Sequence, residues 1–365
     1  MKRFLECLVP VTVCNLKCDY CYVIQKNYRD MEMPDFKYSV EHIAKGLSQE
    51  RLGGVCYISI CGAGETLIPK EVPAVVKAIL EEGHWVNVTT NGTQTARFKE
   101  IVTWDQKLLG RLHFAFSFHY LELLRLGQLD VFFDNVRRIR EAGCSFLVQI
   151  NLYDGYMPHW DTIKQICEER IGACPQVAVT RNERTPEIRF LTNGSAENYM
   201  ATGRRFHSPL WEFTLKNFRI RRREFCYAGD WSATLNLCTG EMSGCYGQGI
   251  RQNIFEDLSR PIRFSAIGRG CCAPYCFNSS HFLSLGCIPS LATPTYAELR
   301  NREYAEWYTP EMKQFLSAKL GNENQEYALW RKCRINLRRG GRRILSRIFH
   351  EIKIVISQMH RNDNH

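Results

Sequence analysis

The sequence predicts an α/β protein: a parallel sheet or partial barrel, then a small cysteine-rich region and a helical end. Three observations carry that expectation. Short apolar runs alternate with helical patterns through the first half, a Cys- and Gly-rich stretch follows, and most of the net positive charge is held in the last 35 residues. Six strands separated by helices favour a parallel sheet, because parallel neighbours need a crossover between them.

The apolar run "FLECLVPVTV" (4–13) is the first expected strand. "VCYISI" (55–60), "WVNVTT" (85–90), "LHFAFSF" (112–118), "SFLVQINL" (145–152) and "QVAVT" (176–180) are the next five. Between them "KEVPAVVKAILEEG" (70–83) and "LDVFFDNVRRIREAG" (129–143) have helical spacing. The second puts Val131, Phe132, Val136 and Ile139 on one face and stops on a glycine. These elements make residues 1–200 the first domain. Residues 202–224 are basic and irregular, so 201–225 is expected to be a connector. Residues 226–290 form the cysteine-rich domain, and 291–365 a helical region with a basic amphipathic tail.

Composition narrows the function. Of 365 residues 45% are hydrophobic, as in ordinary globular proteins. No apolar run reaches the roughly 18 residues of a membrane span. Glu6 breaks the apolar stretch near the N-terminus and no cleavage site follows, so no signal peptide is expected. Seventeen cysteines without a secretion signal point to metal or redox chemistry in a reducing, cytoplasmic compartment. Of the net charge of +10, residues 331–365 contribute +8. A tail this basic on a nearly neutral body is not a nucleic-acid-binding domain, and no nucleic-acid partner is expected.

"CNLKCDYCYV" (14–23) carries Cys14, Cys18 and Cys21 directly after the first strand. In parallel α/β folds ligands sit at the carboxyl ends of strands. Thiolates suit zinc, Cu(I) or iron–sulfur clusters. A structural zinc site wants four ligands, whereas three cysteines on a [4Fe–4S] cluster leave one iron open.

The stretch Cys14-Asn-Leu-Lys-Cys18-Asp-Tyr20-Cys21 resembles the signature of the radical S-adenosylmethionine (SAM) enzymes, C-x3-C-x-aromatic-C. The resemblance implies a partial (β/α)6 barrel of TIM type. It also implies a [4Fe–4S] cluster on Cys14, Cys18 and Cys21 whose free iron chelates SAM, and whose electron cleaves SAM to a 5′-deoxyadenosyl radical. A reductant such as flavodoxin or ferredoxin would supply that electron. By the same resemblance Tyr20 borders the adenine, and Gly64 and Glu65 in "ISICGAGETL" (58–67) hold the SAM amino group. Here Ala63 stands where the family has its first Gly, and Thr66 replaces its Pro. Asn91 after the third strand and Ser117 in the fourth fall where family members touch SAM; His119 replaces an Asp common after that serine.

Cys226-x13-Gly240-x4-Cys245 resembles the start of the auxiliary-cluster motif of the SPASM and twitch subfamilies. Cys271, Cys272, Cys276 and Cys287 are the cysteines left to complete it. The expected set for one further [4Fe–4S] cluster is Cys226, Cys245, Cys272 and Cys276, with Cys271 and Cys287 as substitutes. A structural zinc site on the same thiolates is the alternative. Cys7, Cys56, Cys61, Cys144, Cys167, Cys174, Cys238 and Cys333 are expected to pack as small apolar side chains.

The tail "RRILSRIFHEIKIVISQM" (342–359) gathers Leu345, Ile348, Phe349, Ile352, Val355, Ile356 and Met359 on one helical face with basic residues elsewhere. It reads either as a helix on the inner membrane surface or as one docked on the protein's own core. The expected activity is oxidation of a small or glycan-type substrate, free or lipid-linked, with the auxiliary cluster taking an electron. Cross-linking or sulfatase-type oxidation of a peptide or protein is the alternative. Only 13 residues precede Cys14, which leaves no room there for a leader-binding domain. Tyr153, Asp154 and His119 near strand ends are acid–base candidates. A zinc-stabilised, non-catalytic binding protein is the reading of another class.

Overall fold

A computed structural model of the protein describes residues 1–185 and 187–337. The basic stretch 342–359 lies outside the described residues. Strands β1 (Arg3–Val9), β2 (Cys56–Gly62), β3 (Trp85–Thr90), β4 (Leu112–Ser117), β5 (Ser145–Asn151) and β6 (Gln176–Ala178) follow one another in the sheet. All are parallel to their neighbours. The α/β expectation therefore stands, with the six strands in chain order.

Each strand is buried on both faces, which is why its sequence reads as a nearly continuous apolar run. In β1 the alternation puts Leu5, Cys7 and Val9 on one face and Phe4, Glu6 and Leu8 on the other. The strand stops at Val9 rather than running to residue 13, because Pro10 has no N–H for the ladder. Helices Glu71–Glu81 and Leu129–Glu141 are crossovers between strands. The first buries Val72, Val75, Val76, Ile79 and Leu80; the second buries Phe132, Phe133, Val136 and Ile139.

The later part of the chain adds detail that the sequence left open. The cysteine-rich region is joined to the barrel sheet. Its strand β9 (Ser232–Asn236) joins the sheet beside β1 in parallel, with Phe4 opposite Ser232 and Leu8 opposite Asn236. Strands β10 (Glu241–Ser243) and β11 (Gln252–Asn253) extend that edge antiparallel. A smaller sheet pairs Arg181–Asn182 with Arg189–Phe190.

The connector is not irregular. Helix Ala196–Arg204 runs into it and helix Pro209–Asn217 fills much of it, with Ser208 capping and Pro209 in the first turn. Leu210, Trp211 and Phe213 are buried. Gly203 is the point of closest approach: a Cβ there would stand 2.1 Å from the Trp211 ring.

Finally, the helical end expected after residue 291 is present as a series of short pieces. Short helices at Tyr296–Arg300 and Pro310–Ser317 are separated by chain that closes the amino-terminal ends of the strands. Trp307 O accepts from Phe146 N at 2.9 Å, Trp307 Nε1 donates to Ile171 O at 3.0 Å, and Phe315 stacks on Trp85 at 4.3 Å. Arg302 spends its guanidinium on the carbonyls of Cys174, Pro175, Phe206 and His207. The opposite ends of the strands stay open. No helix among the described residues is long and apolar enough to cross a membrane.

Candidate active site

The open end holds a cleft to which the loops after all six parallel strands contribute. Cys14, Cys18 and Cys21 form one wall. The loop that carries them is held from several sides. Arg29 donates to the carbonyls of Cys14 and Leu16, Lys17 N donates to Glu122 Oε2 at 2.6 Å, and Cys21 N donates to Cys18 O at 2.9 Å. Cys14 Sγ accepts from Leu16 N at 3.4 Å and from Asn91 Nδ2 at 3.7 Å. Burial raises the thiol pKa of Cys14 and Cys18, and for Cys18 the neighbouring Cys14 and Cys21 raise it further. Metal binding would favour the thiolate form that burial opposes at Cys14 and Cys18. The donor set and the cleft before it thus fit a three-thiolate cluster.

The loop after β2 packs directly on this wall. Gly64 N donates to Val11 O at 2.6 Å and Glu65 N to Val13 O at 2.9 Å. A Cβ on Gly64 would stand 2.2 Å from Val13 O, so only glycine allows the approach. No residue from 62 to 66 has a positive φ, so Ala63 is unstrained where the family has glycine. Thr66 accepts from Gly62 N through its hydroxyl at 2.9 Å and closes the loop without a proline.

Glu65 is buried, with its carboxylate engaged inside the protein. It accepts from Thr90 Oγ1 at 2.7 Å, Leu67 N at 3.0 Å and Asn91 N at 2.6 Å. Burial raises its pKa against those three bonds. It ties the β2 and β3 loops together and so sets Asn91. Asn91 in turn donates to Asn15 Oδ1 at 2.9 Å and accepts from Thr93. Ser117 lines the cleft from the end of β4.

Tyr20 is buried rather than free. Its hydroxyl meets His119 Nδ1 at 2.6 Å and Tyr156 OH at 2.7 Å, and its ring lies 5.0 Å from that of Tyr153. Burial pushes the His119 pKa down to about 4, so the imidazole is neutral near pH 7. Of the acid–base candidates only His119 lines the cleft. Tyr153 packs on Tyr20, and Asp154 accepts from Thr192 Oγ1 and Asn193 N.

The structure adds residues the sequence reading passed over. Asn151 and Thr180 line the cleft, and so do Arg181 and Glu183, which pair at 2.8 Å; Lys26 also pairs with Glu183. They lie at or just beyond the ends of β5 and β6, where the general rule for α/β ligands would have found them.

A second cavity is lined by Cys226, Cys245, Cys271 and Cys276. Three of the expected four line it, and Cys271 lines it where Cys272 was expected. Cys272 is exposed, with its thiol on Gln248 Oε1 at 3.2 Å, while the half-buried Cys271 is close enough to Cys245 and Cys276 to raise their pKa values. Cys287 is fully buried behind the cavity, its thiol donating to Ser232 Oγ at 3.4 Å. Among the described residues no three His, Cys, Asp or Glu converge on a single-ion position; the thiols surround a cavity instead. Of the cysteines expected to pack, Cys7, Cys56, Cys144, Cys167 and Cys238 are buried, Cys61 and Cys174 are half-buried, and Cys333 is exposed.

Residues 8–169 match the radical SAM superfamily. The chain carries a domain of that superfamily. It is thus an enzyme whose family uses a [4Fe–4S] cluster and SAM, which sets aside the non-catalytic reading. It is 25% identical over 189 residues to the 7-carboxy-7-deazaguanine synthase of Thermoplasma acidophilum, covering 47% of this chain and 82% of the relative. Among solved structures it is similar to Streptococcus suis SuiB, with a TM-score of 0.48 and 15% identity over 70% of this chain. It spans 64% of the SuiB chain. It is also similar to anSMEcpe with bound AdoMet, with a TM-score of 0.48 and 14% identity over 70% of this chain and 78% of that one.

Proposed function

We propose that this radical SAM enzyme is an oxidoreductase carrying a second [4Fe–4S] cluster on Cys226, Cys245, Cys271 and Cys276. The observation that supports it is the cavity ringed by those four thiols. Four thiolates on one cubane leave no open iron, so the second cluster would pass electrons rather than hold substrate. Residues 226–290 would then act as an auxiliary-cluster unit that shares its sheet with the barrel strands.

When bound, SAM and a cluster on Cys14, Cys18 and Cys21 would supply hydrogen-atom abstraction from the substrate, and a cluster on Cys226, Cys245, Cys271 and Cys276 would supply an acceptor for the second electron. An alcohol oxidised this way loses its hydroxyl proton as well and becomes a carbonyl. In this reading Cys14, Cys18 and Cys21 hold the first cluster, and Asn91 orients the Cys14 thiolate. Gly64, Ser117 and Tyr20 shape the SAM cleft, while Glu65 positions Asn91 from behind it. Arg181 would orient a polar group of the substrate from the far wall. Ser117, Asn151, Thr180 and Arg181 make that wall hydrogen-bonding, which favours a hydroxyl-bearing small or glycan-type substrate. The reading brings with it a one-electron donor of the flavodoxin or ferredoxin class. Seventeen cysteines in one chain favour a reducing, cytoplasmic setting, in which thiols stay available as ligands.

The test is iron and acid-labile sulfide on anaerobically prepared protein with Cys14, Cys18 and Cys21 all changed to Ala. About four irons per chain are expected to remain, the content of one cubane. Essentially no iron, or zinc in its place, would remove the internal electron acceptor and with it the oxidase reading.

A further inference from the structure

We propose that Glu6 is a positioning residue for the second cysteine site, clamping the Cys245 and Cys276 loops to the first strand. The inference rests on the second-cluster reading. Glu6 lies in the middle of β1, with Ser59 and Thr234 opposite it on the neighbouring strands. An acidic residue in the centre of a doubly covered strand is unusual, because burying a carboxylate is unfavourable unless it is well paired. Glu6 is 7% exposed, and the two partners of its carboxylate are both neutral.

Those partners tell what it does. Oε2 accepts from Tyr246 OH at 2.8 Å, and Tyr246 directly follows Cys245. Oε1 accepts from Asn278 Nδ2 at 2.7 Å, and Asn278 comes two residues after Cys276. One carboxylate therefore holds both loops that bring those thiols to the cavity. Tyr246, with φ 38°, and Gly247 are the central residues of a tight turn in which Gln248 N donates to Cys245 O at 2.7 Å. The tether to Glu6 joins the Tyr246 side chain of that turn to β1.

β1 also runs straight into the three-cysteine loop. The same strand thus sets the place of both. Residues that orient metal ligands through such bonds typically contribute about 10–100-fold to metal affinity.

The experiment uses the full chain with Cys14, Cys18 and Cys21 changed to Ala as the parent, and adds Glu6→Gln, Glu6→Ala or Tyr246→Phe. Readouts are the electron paramagnetic resonance spectrum of the reduced protein and its loss of iron to a chelator. Glu6→Ala and Tyr246→Phe are expected to shift the g-values and to lose iron at about tenfold lower chelator concentration or less. Glu6→Gln keeps the length and an acceptor, and is expected to stay close to the parent. If Glu6→Ala fails to fold, Tyr246→Phe decides alone, since it removes one hydroxyl from a partly exposed ring. Parental spectra and parental chelator resistance in Tyr246→Phe and in any folded Glu6→Ala would overturn the clamp. A parent without iron would overturn the second-cluster reading, and the clamp with it.

Discussion

At the scale of single residues, close approach and burial decide what each position tolerates. Gly64 is the sharpest case. Changing it to Ala drives a Cβ into Val13 O, so the β2 loop must move away from the three-cysteine loop. We expect Gly64→Ala to lose stability by about 1–3 kcal/mol, read by urea denaturation, and to lose iron from the first site. Ala63→Gly, one residue earlier and without a positive φ to relieve, should change stability by less than about 1 kcal/mol.

Cys271 and Cys272 make a matched pair. In the background lacking the first site, Cys271→Ala should lose the remaining iron and Cys272→Ala should keep it, because only the first faces the cavity. His119 gives a pH signature. Its pKa falls from an ordinary 6.5 to about 4 in the fold, so the unfolded chain binds the extra proton first. Stability from this group is present above about pH 6.5 and is lost as pH falls towards 4. Denaturation of His119→Gln across that window should show a shallower acid loss than wild type; equal slopes would remove His119 from the effect.

At the scale of elements, caps and registers matter more than single contacts. Helix Pro209–Asn217 depends on Ser208, whose hydroxyl accepts from Trp211 N and from Val177 N and donates to Gln176 Oε1 at 2.6 Å. One side chain thus caps a helix and joins it to β6. Ser208→Ala removes the cap and leaves a buried N–H unpaired, so a loss of about 2–3 kcal/mol is expected. This helix was hidden in the sequence because its basic neighbours, from Lys216 to Arg223, dominate the local composition. The apolar "PLW" that buries Leu210 and Trp211 is too short to stand out as a period. The six parallel strands were legible for the opposite reason: each is a run of several apolar residues bounded by loop chemistry.

At the scale of the whole molecule, the two ends of the sheet have different tasks. Residues 291–325 close one end, and the three-cysteine loop lies at the other. Trp307 is the keystone of the closed end, fully buried with its indole N–H on Ile171 O. Trp307→Ala should lose about 3–5 kcal/mol, measured by chemical denaturation, and should leave the spectrum of the iron sites intact in whatever fraction stays folded. The intact chain should carry about eight irons, against about four when the first three cysteines are removed.

What the sequence by itself determined is what adjacent residues can decide. Three ligands within eight residues, at the end of an apolar strand, identify their own chemistry because no distant partner is needed. What only the tertiary structure decided is what depends on residues far apart in the chain. The choice between Cys271 and Cys272 turns on which one faces Cys226 and Cys245, and spacing cannot tell which way an extended residue points. Glu6 looks in the sequence like a break in an apolar run. Its use became visible only when folding brought Tyr246 and Asn278, more than 200 residues away, to the two oxygens of its carboxylate.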